Sequence, residues 1–193
     1  MTHQDIFEKY HSEHLQAFTA LREHASELGE IARTCTEAIL SGKKLLICGN
    51  GGSAADAQHF AAELTGRYRR ERHALPALAL TTDTSALTCI GNDYAYEDVF
   101  SRQVEALGQA EDVLIGISTS GTSKNVLKAI EAARKKGLKT VMLTGGREGS
   151  SPVADHTLKV PSTTTAHIQE MHIFCIHVIC ENIDEAVLEK SNA

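Results

Sequence analysis

The chain has 193 residues, of which 42% are hydrophobic and 23% charged, with a formal net charge of −6 at pH 7. This length suits a single domain with a substantial core. The negative charge argues against sequence-independent binding of nucleic acid, and no apolar run approaches the length that crosses a bilayer. Five cysteines without a C-x-x-C pair, together with polar first residues, predict reduced thiols in a cytoplasmic protein.

The N-terminal segment is predicted to be helical. From about Gln4 to Leu40, apolar side chains recur at helical spacing. Gly29 is expected to separate two helices, and Gly42 to end the second, in the usual position of a glycine after a helix.

Strands and helices then alternate along the chain. The predicted strands are Leu45–Cys48, Ala77–Leu80, Val113–Ile117, Thr140–Leu143 and His156–Val160. The predicted helices are Ser53–Arg67, Tyr96–Leu107, Lys124–Lys136 and Ala166–Leu188. This alternation predicts an α/β fold with a parallel sheet covered on both faces, whose ligands bind at the carboxyl ends of the strands. The stretch 145–152 is expected to be a mobile loop.

Two glycine turns follow predicted strands and precede predicted helices. The first spans Gly49–Ser53, with Ser53 as the expected helix N-cap. The second spans Ser118–Ser123 and carries more hydroxyl groups than helix capping requires. Free backbone N–H groups at a helix start bind anions. The two turns therefore predict a site for one phosphate on a small polar ligand.

The first turn also fits a different class of ligand. Gly49–Ala54 matches the loose G-x-G-x-x-A pattern of dinucleotide-binding proteins. That pattern requires an acidic residue about 20 residues later, at the end of the next strand. The first acidic residue after the 77–80 strand is Asp83, which lies too far along the chain. The dinucleotide interpretation is therefore weak.

Four side chains are candidates for acid–base chemistry or metal binding. His59 and Glu63 are four residues apart on one helix face; a solvent-exposed ion pair is the alternative, but their apolar neighbours favour a buried, functional pair. On the last helix, Gln169 and His177 lie about 80° apart around the axis and roughly 12 Å apart along it. His172, on another face, is expected to be structural. Together the four form a plausible nitrogen–oxygen donor set for a divalent metal, zinc first.

Two further segments are weaker candidates. Asn92 and Asp93 follow Gly91 and are expected in a turn, either as an Asx-turn or as contacts to sugar hydroxyls. The basic run 67–72 is typical of a solvated helix end. Arg67 or Arg69 is the better candidate in it for a cationic phosphate ligand.

Four segments together resemble a known family. They are CGNGGSAADAQHFAAELTGRY at 48–68, GND at 91–93, ISTSGTSKNV at 117–126, and the IQEMH…H segment at 168–177. In these segments, and nearly end to end, the chain resembles the phosphoheptose isomerases of the sugar isomerase (SIS) domain family. The resemblance implies one SIS domain over 1–193, a three-layer α-β-α sandwich with a five-stranded parallel sheet. It also implies a homotetramer with active sites at subunit interfaces, assembled through the helices of 1–41.

The resemblance further implies an activity and the residues that perform it. Sedoheptulose 7-phosphate would become D-glycero-D-manno-heptose 7-phosphate through an enediol, the first step toward ADP- or GDP-heptose precursors. Glu63 and His177 would be catalytic, and His59, Glu63, Gln169 and His177 would hold one zinc ion per subunit. The implied substrate-binding residues are Asn50, Gly51, Gly52, Ser53, Glu63, Asn92, Asp93, Ser118, Thr119, Ser120, Ser123 and Gln169.

Two alternatives stay within the same domain family. Some SIS proteins are non-catalytic adapters of the replication initiator DnaA, and in that branch the helix-borne acid and the last-helix histidine are replaced. Because Glu63 and His177 are both present here, the sequence favours the isomerase. The second alternative is an isomerase acting on arabinose 5-phosphate.

Overall fold

The computed structural model describes residues 1–146 and 154–192. Across them, five parallel strands form one sheet in the order β2-β1-β3-β4-β5. The strands are β1 Leu45–Gly49, β2 Ala77–Ala79, β3 Val113–Ser118, β4 Lys139–Gly145 and β5 His156–Val160. All five predicted strands are confirmed. Most of the loop predicted at 145–152 lies outside the described residues.

Helices cover both faces of the sheet, which confirms the predicted three-layer α/β fold. Helices α2, α3 and α7 pack in the core on one face, and α4, α5 and α6 in the core on the other. Helix α1 lies outside the first group, against α7. The helices are α1 His3–Leu21, α2 Ala25–Leu40, α3 Gly52–Thr65, α4 Thr84–Asp93, α5 Ser101–Leu107, α6 Lys124–Lys135 and α7 Thr165–Asn192.

Strand β1 shows why the central strands read as continuous apolar runs. Leu45 and Ile47 point into the core beneath α2, α3 and α7, whereas Leu46 and Cys48 point into the opposite core. Each of the four is fully buried. Burying a leucine or isoleucine side chain stabilises the fold by about 1.5–3 kcal/mol. Both glycine turns begin at the carboxyl-terminal edge of this sheet.

The N-terminal helices break at a different place from the one predicted. Gly29 lies inside α2, and the chain changes direction at a short 3₁₀ turn, Arg22–His24. A glycine within a helix costs about 1 kcal/mol relative to alanine. Its neighbours Leu28 and Ile31 are buried in the core, and this burial offsets that cost. Gly42 does follow the second helix, with φ of 75°.

The segment 84–107 differs most from the sequence prediction. Residues 84–93 form α4, which the pattern did not reveal, and Asp83 caps this helix by accepting a hydrogen bond from the Ala86 N–H at 2.9 Å. Asn92 and Asp93 therefore end a helix rather than occupying a turn. The helix predicted over 96–107 is divided into a 3₁₀ turn, Tyr96–Asp98, and α5. Val99 and Phe100, between the two pieces, are buried in the core.

Candidate active site

The two glycine turns are joined by a pair of asparagine side chains. Strands β1 and β3 are neighbours, with Gly49 opposite Ile117, so both turns leave the same edge of the sheet. The Asn50 amide donates to Asn125 Oδ1 at 2.9 Å, and the Asn125 amide donates to Asn50 Oδ1 at 2.8 Å. Tyr96 OH also donates to Asn50 Oδ1, at 3.1 Å. Asn50 is therefore held in place, and neither Asn125 nor Tyr96 was predicted from the sequence.

The first turn presents backbone N–H groups at the start of α3. The N-cap residue is Gly51 and not Ser53, as predicted, because the helix begins at Gly52. Ser53 is buried, and its N–H donates to the Asn50 carbonyl at 3.1 Å. Because the N-cap residue is a glycine, no side-chain oxygen caps the start of α3. The start of a helix attracts an anion or a polar substrate.

Gln169 of α7 lies directly against this turn. A Cβ atom on Gly52 would collide with the side-chain amide of Gln169, so any residue larger than glycine would displace that amide. The close approach places Gln169 beside Gly52, two residues that the sequence resemblance assigned to one site.

The second turn is lined with hydroxyl groups that bond to one another. Ser118 Oγ lies 2.9 Å from Ser123 Oγ and 3.4 Å from Ser120 Oγ. Ser123 is the N-cap residue of α6, yet its hydroxyl contacts Ser118 and does not cap the helix. Gly121, with φ of 70°, allows the chain to fold back so that its N–H donates to the Ser118 carbonyl. The start of α6 thus combines uncapped N–H groups with several hydroxyls, a combination suited to phosphate.

Three ionisable side chains from two helices converge near these turns. His59 Nε2 lies 3.0 Å from His177 Nε2 and 3.2 Å from a carboxylate oxygen of Glu63. The Tyr68 ring packs against His177, with ring centroids 5.6 Å apart. The His59 side chain is 42% exposed, and that of Glu63 is 20% exposed. The predicted burial of this helix face is therefore only partial, and the cluster is open to a ligand.

The donor set of this cluster fits a divalent metal ion. Two ligands of one tetrahedral zinc, each about 2.0–2.1 Å from the ion, lie roughly 3.3 Å apart. The separations of 3.0 Å and 3.2 Å around His59 Nε2 match that spacing. His59, Glu63 and His177 offer donor atoms that all lie within 4.8 Å of one another.

Two buried side chains beside the cluster do not contribute to it directly. Asp56, one turn before His59, is buried, and one of its carboxylate oxygens has no hydrogen-bond partner. Burial raises the pKa of Asp56 to about 6, whereas the nearby His59 lowers it. His172 is fully buried, with Nε2 3.3 Å from the Thr144 carbonyl oxygen. Burial lowers the pKa of His172 to about 4. The predicted structural role of His172 is confirmed, whereas Asp56 was not singled out.

A buried ion pair joins the end of α3 to α7, the two helices that carry the cluster. Arg72 donates to Asp184 of α7 at 2.8 Å, and also to the carbonyl oxygens of Glu63 and Leu64, at 2.8 and 2.9 Å. Only 1% of either charged side chain is exposed. Arg72 therefore fixes the end of α3, which carries Glu63, against α7, which carries His177.

The remaining predicted site residues make contacts elsewhere. Asn92 donates to Asp93 at 2.8 Å, and Cys89 to Asp93 at 3.4 Å, so these contacts stay within α4. The Arg69 guanidinium lies 3.4 Å from Glu181 of α7, and Arg67 is exposed. Contacts of these residues with a sugar phosphate stay predictions.

The fold and this hydroxyl-lined site define an SIS-domain protein. The sequence pattern of the SIS domain family matches residues 9–145 of this chain. Within that class, phosphoheptose isomerase 1 of Campylobacter jejuni is 55% identical over 186 residues, which cover 94% of this chain and 98% of that protein. The phosphoheptose isomerase of Helicobacter pylori strain P12 is 54% identical over 190 residues, with 97% and 98% coverage. The structure of phosphoheptose isomerase GmhA from Neisseria gonorrhoeae superposes with a TM-score of 0.88 at 46% identity, covering 95% of this chain and all of that one. The chain belongs to the phosphoheptose isomerase family.

Proposed function

We propose that this chain converts sedoheptulose 7-phosphate to D-glycero-D-manno-heptose 7-phosphate. The observation that carries the proposal is the convergence of Glu63 and His177, from two different helices, on His59. The names of its close relatives support the same activity. The adapter alternative is not favoured, because an adapter needs neither the acid nor the histidine.

The substrate's phosphate is proposed to bind the second turn, and its sugar the first. Hydroxyls of Ser118, Ser120 and Ser123 cluster at the start of α6, where backbone N–H groups add to their hydrogen bonds. In this arrangement the chain would hold the phosphate through Ser118, Thr119, Ser120 and Ser123. The sugar would contact Asn50, Gly51, Gly52, Ser53, Asn92, Asp93 and Gln169.

The proposed reaction moves one hydrogen between adjacent carbons. The Glu63 carboxylate removes the proton from C1 of the ketose, and an enediol forms across C1 and C2. His177 moves a proton between the two oxygens, from O1 to O2, and the protonated Glu63 carboxyl group delivers its proton to C2, which leaves the aldehyde at C1. General acid–base steps of this kind typically raise the reaction rate by about 10²–10⁴-fold each.

One zinc ion per subunit is proposed to be held by His59, Glu63, Gln169 and His177. Bound there, it would stabilise negative charge on the substrate oxygens during proton transfer. Support comes from the spacing of the imidazole and carboxylate donors of His59, Glu63 and His177. The place of Gln169 in the ligand set follows from the family resemblance. Because Glu63 is both a proposed ligand and the proposed base, its two oxygens would have to divide these roles.

The chain is proposed to form one SIS domain over 1–193 that assembles as a cytoplasmic homotetramer, and to supply heptose precursors for a glycan. Helix α1 exposes the large apolar side chains of Ile6, Phe7, Tyr10, Leu15 and Phe18, a pattern that favours burial by another chain. The partly exposed His59 supports a site completed at a subunit interface. Light scattering coupled to gel filtration tests the subunit number.

In the described part of the chain, no helix combines the length and apolar character needed to span a membrane.

The activity is tested with purified protein and sedoheptulose 7-phosphate as the substrate. We expect turnover by the unaltered chain, and a loss of about 10²-fold or more in Glu63→Gln and in His177→Ala. Glu71→Gln, which changes an exposed carboxylate on the adjacent loop, is the matched control and should keep full activity. Absence of turnover in the unaltered chain would support the adapter, and activity that survives both substitutions would refute the assigned roles.

A further inference from the structure

A second cluster of metal-type donors lies where α1 packs on α7. Glu170 Oε2 lies 2.7 Å from His14 Nδ1 and 3.1 Å from His167 Nδ1. The donor atoms of these three residues all lie within 4.8 Å of one another. Glu170 precedes His177 by seven residues, or roughly 10 Å along the helix, and points about 100° away from its neighbour Gln169 around the helix axis. Its cluster is therefore separate from the cluster of His59, Glu63 and His177.

Two outer residues orient the donors of this cluster. Glu13 Oε2 lies 3.3 Å from the other ring nitrogen of His167, Nε2. Tyr10 OH donates to the second oxygen of Glu170 at 2.7 Å. A carboxylate on the far nitrogen of a histidine is the usual outer contact of a metal-bound imidazole, because it keeps the proton on that nitrogen and leaves the near one free to ligate.

Burial and charge also suit a cation. His167 is 2% exposed, whereas His14 and Glu170 are each about one-third exposed, so an ion can enter and keep a water ligand. Glu13 and Glu170 contribute two carboxylates to the cluster, whose negative charges a divalent ion would neutralise. Imidazole and carboxylate donors select zinc and similar first-row ions over calcium or magnesium.

We propose that His14, His167 and Glu170 form a second divalent-metal site, suited to zinc, with Glu13 and Tyr10 as its outer contacts. The ion would replace the protons between the imidazoles and Glu170, and would link α1 to α7. The inference does not depend on the proposed isomerase activity, since none of these residues belongs to the catalytic cluster.

The experiment counts zinc in the full-length protein. The chain is freed of metal with a chelator, titrated with zinc chloride alone, and analysed by isothermal titration and by elemental analysis after gel filtration. We expect two zinc ions per chain, one in His14→Ala and one in His177→Ala, and none in the double variant. His11→Ala, which removes an exposed histidine one turn earlier on α1, is the control and should keep both ions.

A variant outside the ligand set separates metal binding from simple packing. Glu13→Gln should weaken zinc binding at this site by about 10- to 100-fold, because it changes the outer contact of His167 but no ligand. His14→Gln, which keeps a polar side chain at position 14, repeats the ligand test should His14→Ala fold poorly. If either His14 variant binds as much zinc as the unaltered chain, the cluster is a hydrogen-bonded network and the proposal is overturned. If His177→Ala binds as much zinc as the unaltered chain while both His14 variants lose one ion, the result counts against the proposed catalytic zinc site alone.

Discussion

Arg72 and Asp184 form an ion pair, 2.8 Å long and 99% buried, between two segments that are 112 residues apart in the chain. The same guanidinium donates to the carbonyl oxygen of Glu63 at 2.8 Å. The Arg72 side chain therefore bonds to a carbonyl oxygen near the end of α3, the helix that carries the proposed base Glu63. It also joins this end to α7, the helix that carries the proposed acid His177. Removing one member of such a pair leaves a buried charge uncompensated.

Loss of this pair should destabilise the protein strongly. We expect Arg72→Met to lower the free energy of unfolding by about 3–5 kcal/mol, measured by urea denaturation. Arg70→Met is the matched control, because Arg70 also pairs with α7, through Glu181 and Glu185, but its side chain is 39% exposed. The control should lose much less stability, because solvent-exposed ion pairs contribute little to folding. Equal losses in the two variants would show that burial of the Arg72 pair does not matter.

Gly52→Ala should impair the site without unfolding the protein. The added methyl group would displace the Gln169 amide, which lies at the end of a flexible side chain. We expect the turnover number to fall by at least tenfold while the circular dichroism spectrum stays unchanged. Gly29→Ala is the control, because a Cβ atom at Gly29 meets no atom within 4 Å, and it should keep full activity. Normal activity in Gly52→Ala would argue against a role for Gln169 at this turn.

Ser123→Ala should weaken substrate binding through the phosphate. The substitution removes one hydroxyl from the cluster at the start of α6. A hydrogen bond to a charged group contributes about 1.5–3 kcal/mol, so KM should rise roughly 10- to 150-fold. Inhibition by inorganic phosphate should weaken in parallel. Thr122→Val, which alters an exposed hydroxyl of the same turn, should change KM little. A KM unaltered by Ser123→Ala would place the phosphate elsewhere.

His172 should make the protein sensitive to acid. Its pKa is lowered to about 4 by burial, whereas an unfolded histidine has a pKa of about 6.5. Between these values the unfolded chain binds the extra proton, so stability falls as pH falls. From pH 7 to pH 5 this residue should reduce the free energy of unfolding by about 2 kcal/mol.

The comparison that isolates this effect uses His172→Gln. Urea unfolding of both chains at pH 7 and pH 5, with chelator present, should show a smaller loss in the variant by about that amount. Asp56, whose raised pKa has the opposite effect on stability over the same range, is common to both chains and cancels. Parallel losses in the two chains would exclude His172 as the source of acid sensitivity.

The strands and glycine turns could be predicted because their signals are local. An apolar run followed by glycine and a helical pattern marks β1 and β3 in a few residues each. Helix α4 was missed, because its sequence, TSALTCIGND, contains β-branched, small polar and glycine residues with poor helix propensity, and packing of Ile90 compensates. Residue type predicts Ser53 as an N-cap, yet the N-cap lies two residues earlier, at Gly51, and the helix begins at Gly52.

The site itself depended on contacts that no local pattern encodes. His59 and His177 are 118 residues apart. Residue type and helix spacing suggested them as members of one metal donor set, and the resemblance to a family implied their catalytic and metal-binding roles. Asn125, which locks Asn50, and Arg72, which anchors α3, lie far from their partners in sequence and were missed. A histidine and glutamate four residues apart indicate a shared helix face. This spacing does not indicate which side chains from other helices lie opposite the histidine and the glutamate.

Hydrogen exchange at the substrate carbons tests the role of Glu63 as the base directly. Sedoheptulose 7-phosphate is incubated with enzyme in deuterium oxide, and NMR spectroscopy follows deuterium entering C1 of the ketose and C2 of the aldose. We expect exchange with the unaltered chain and none above background with Glu63→Gln, because Glu63 removes the C1 proton. Exchange at the unaltered rate in Glu63→Gln would contradict this role.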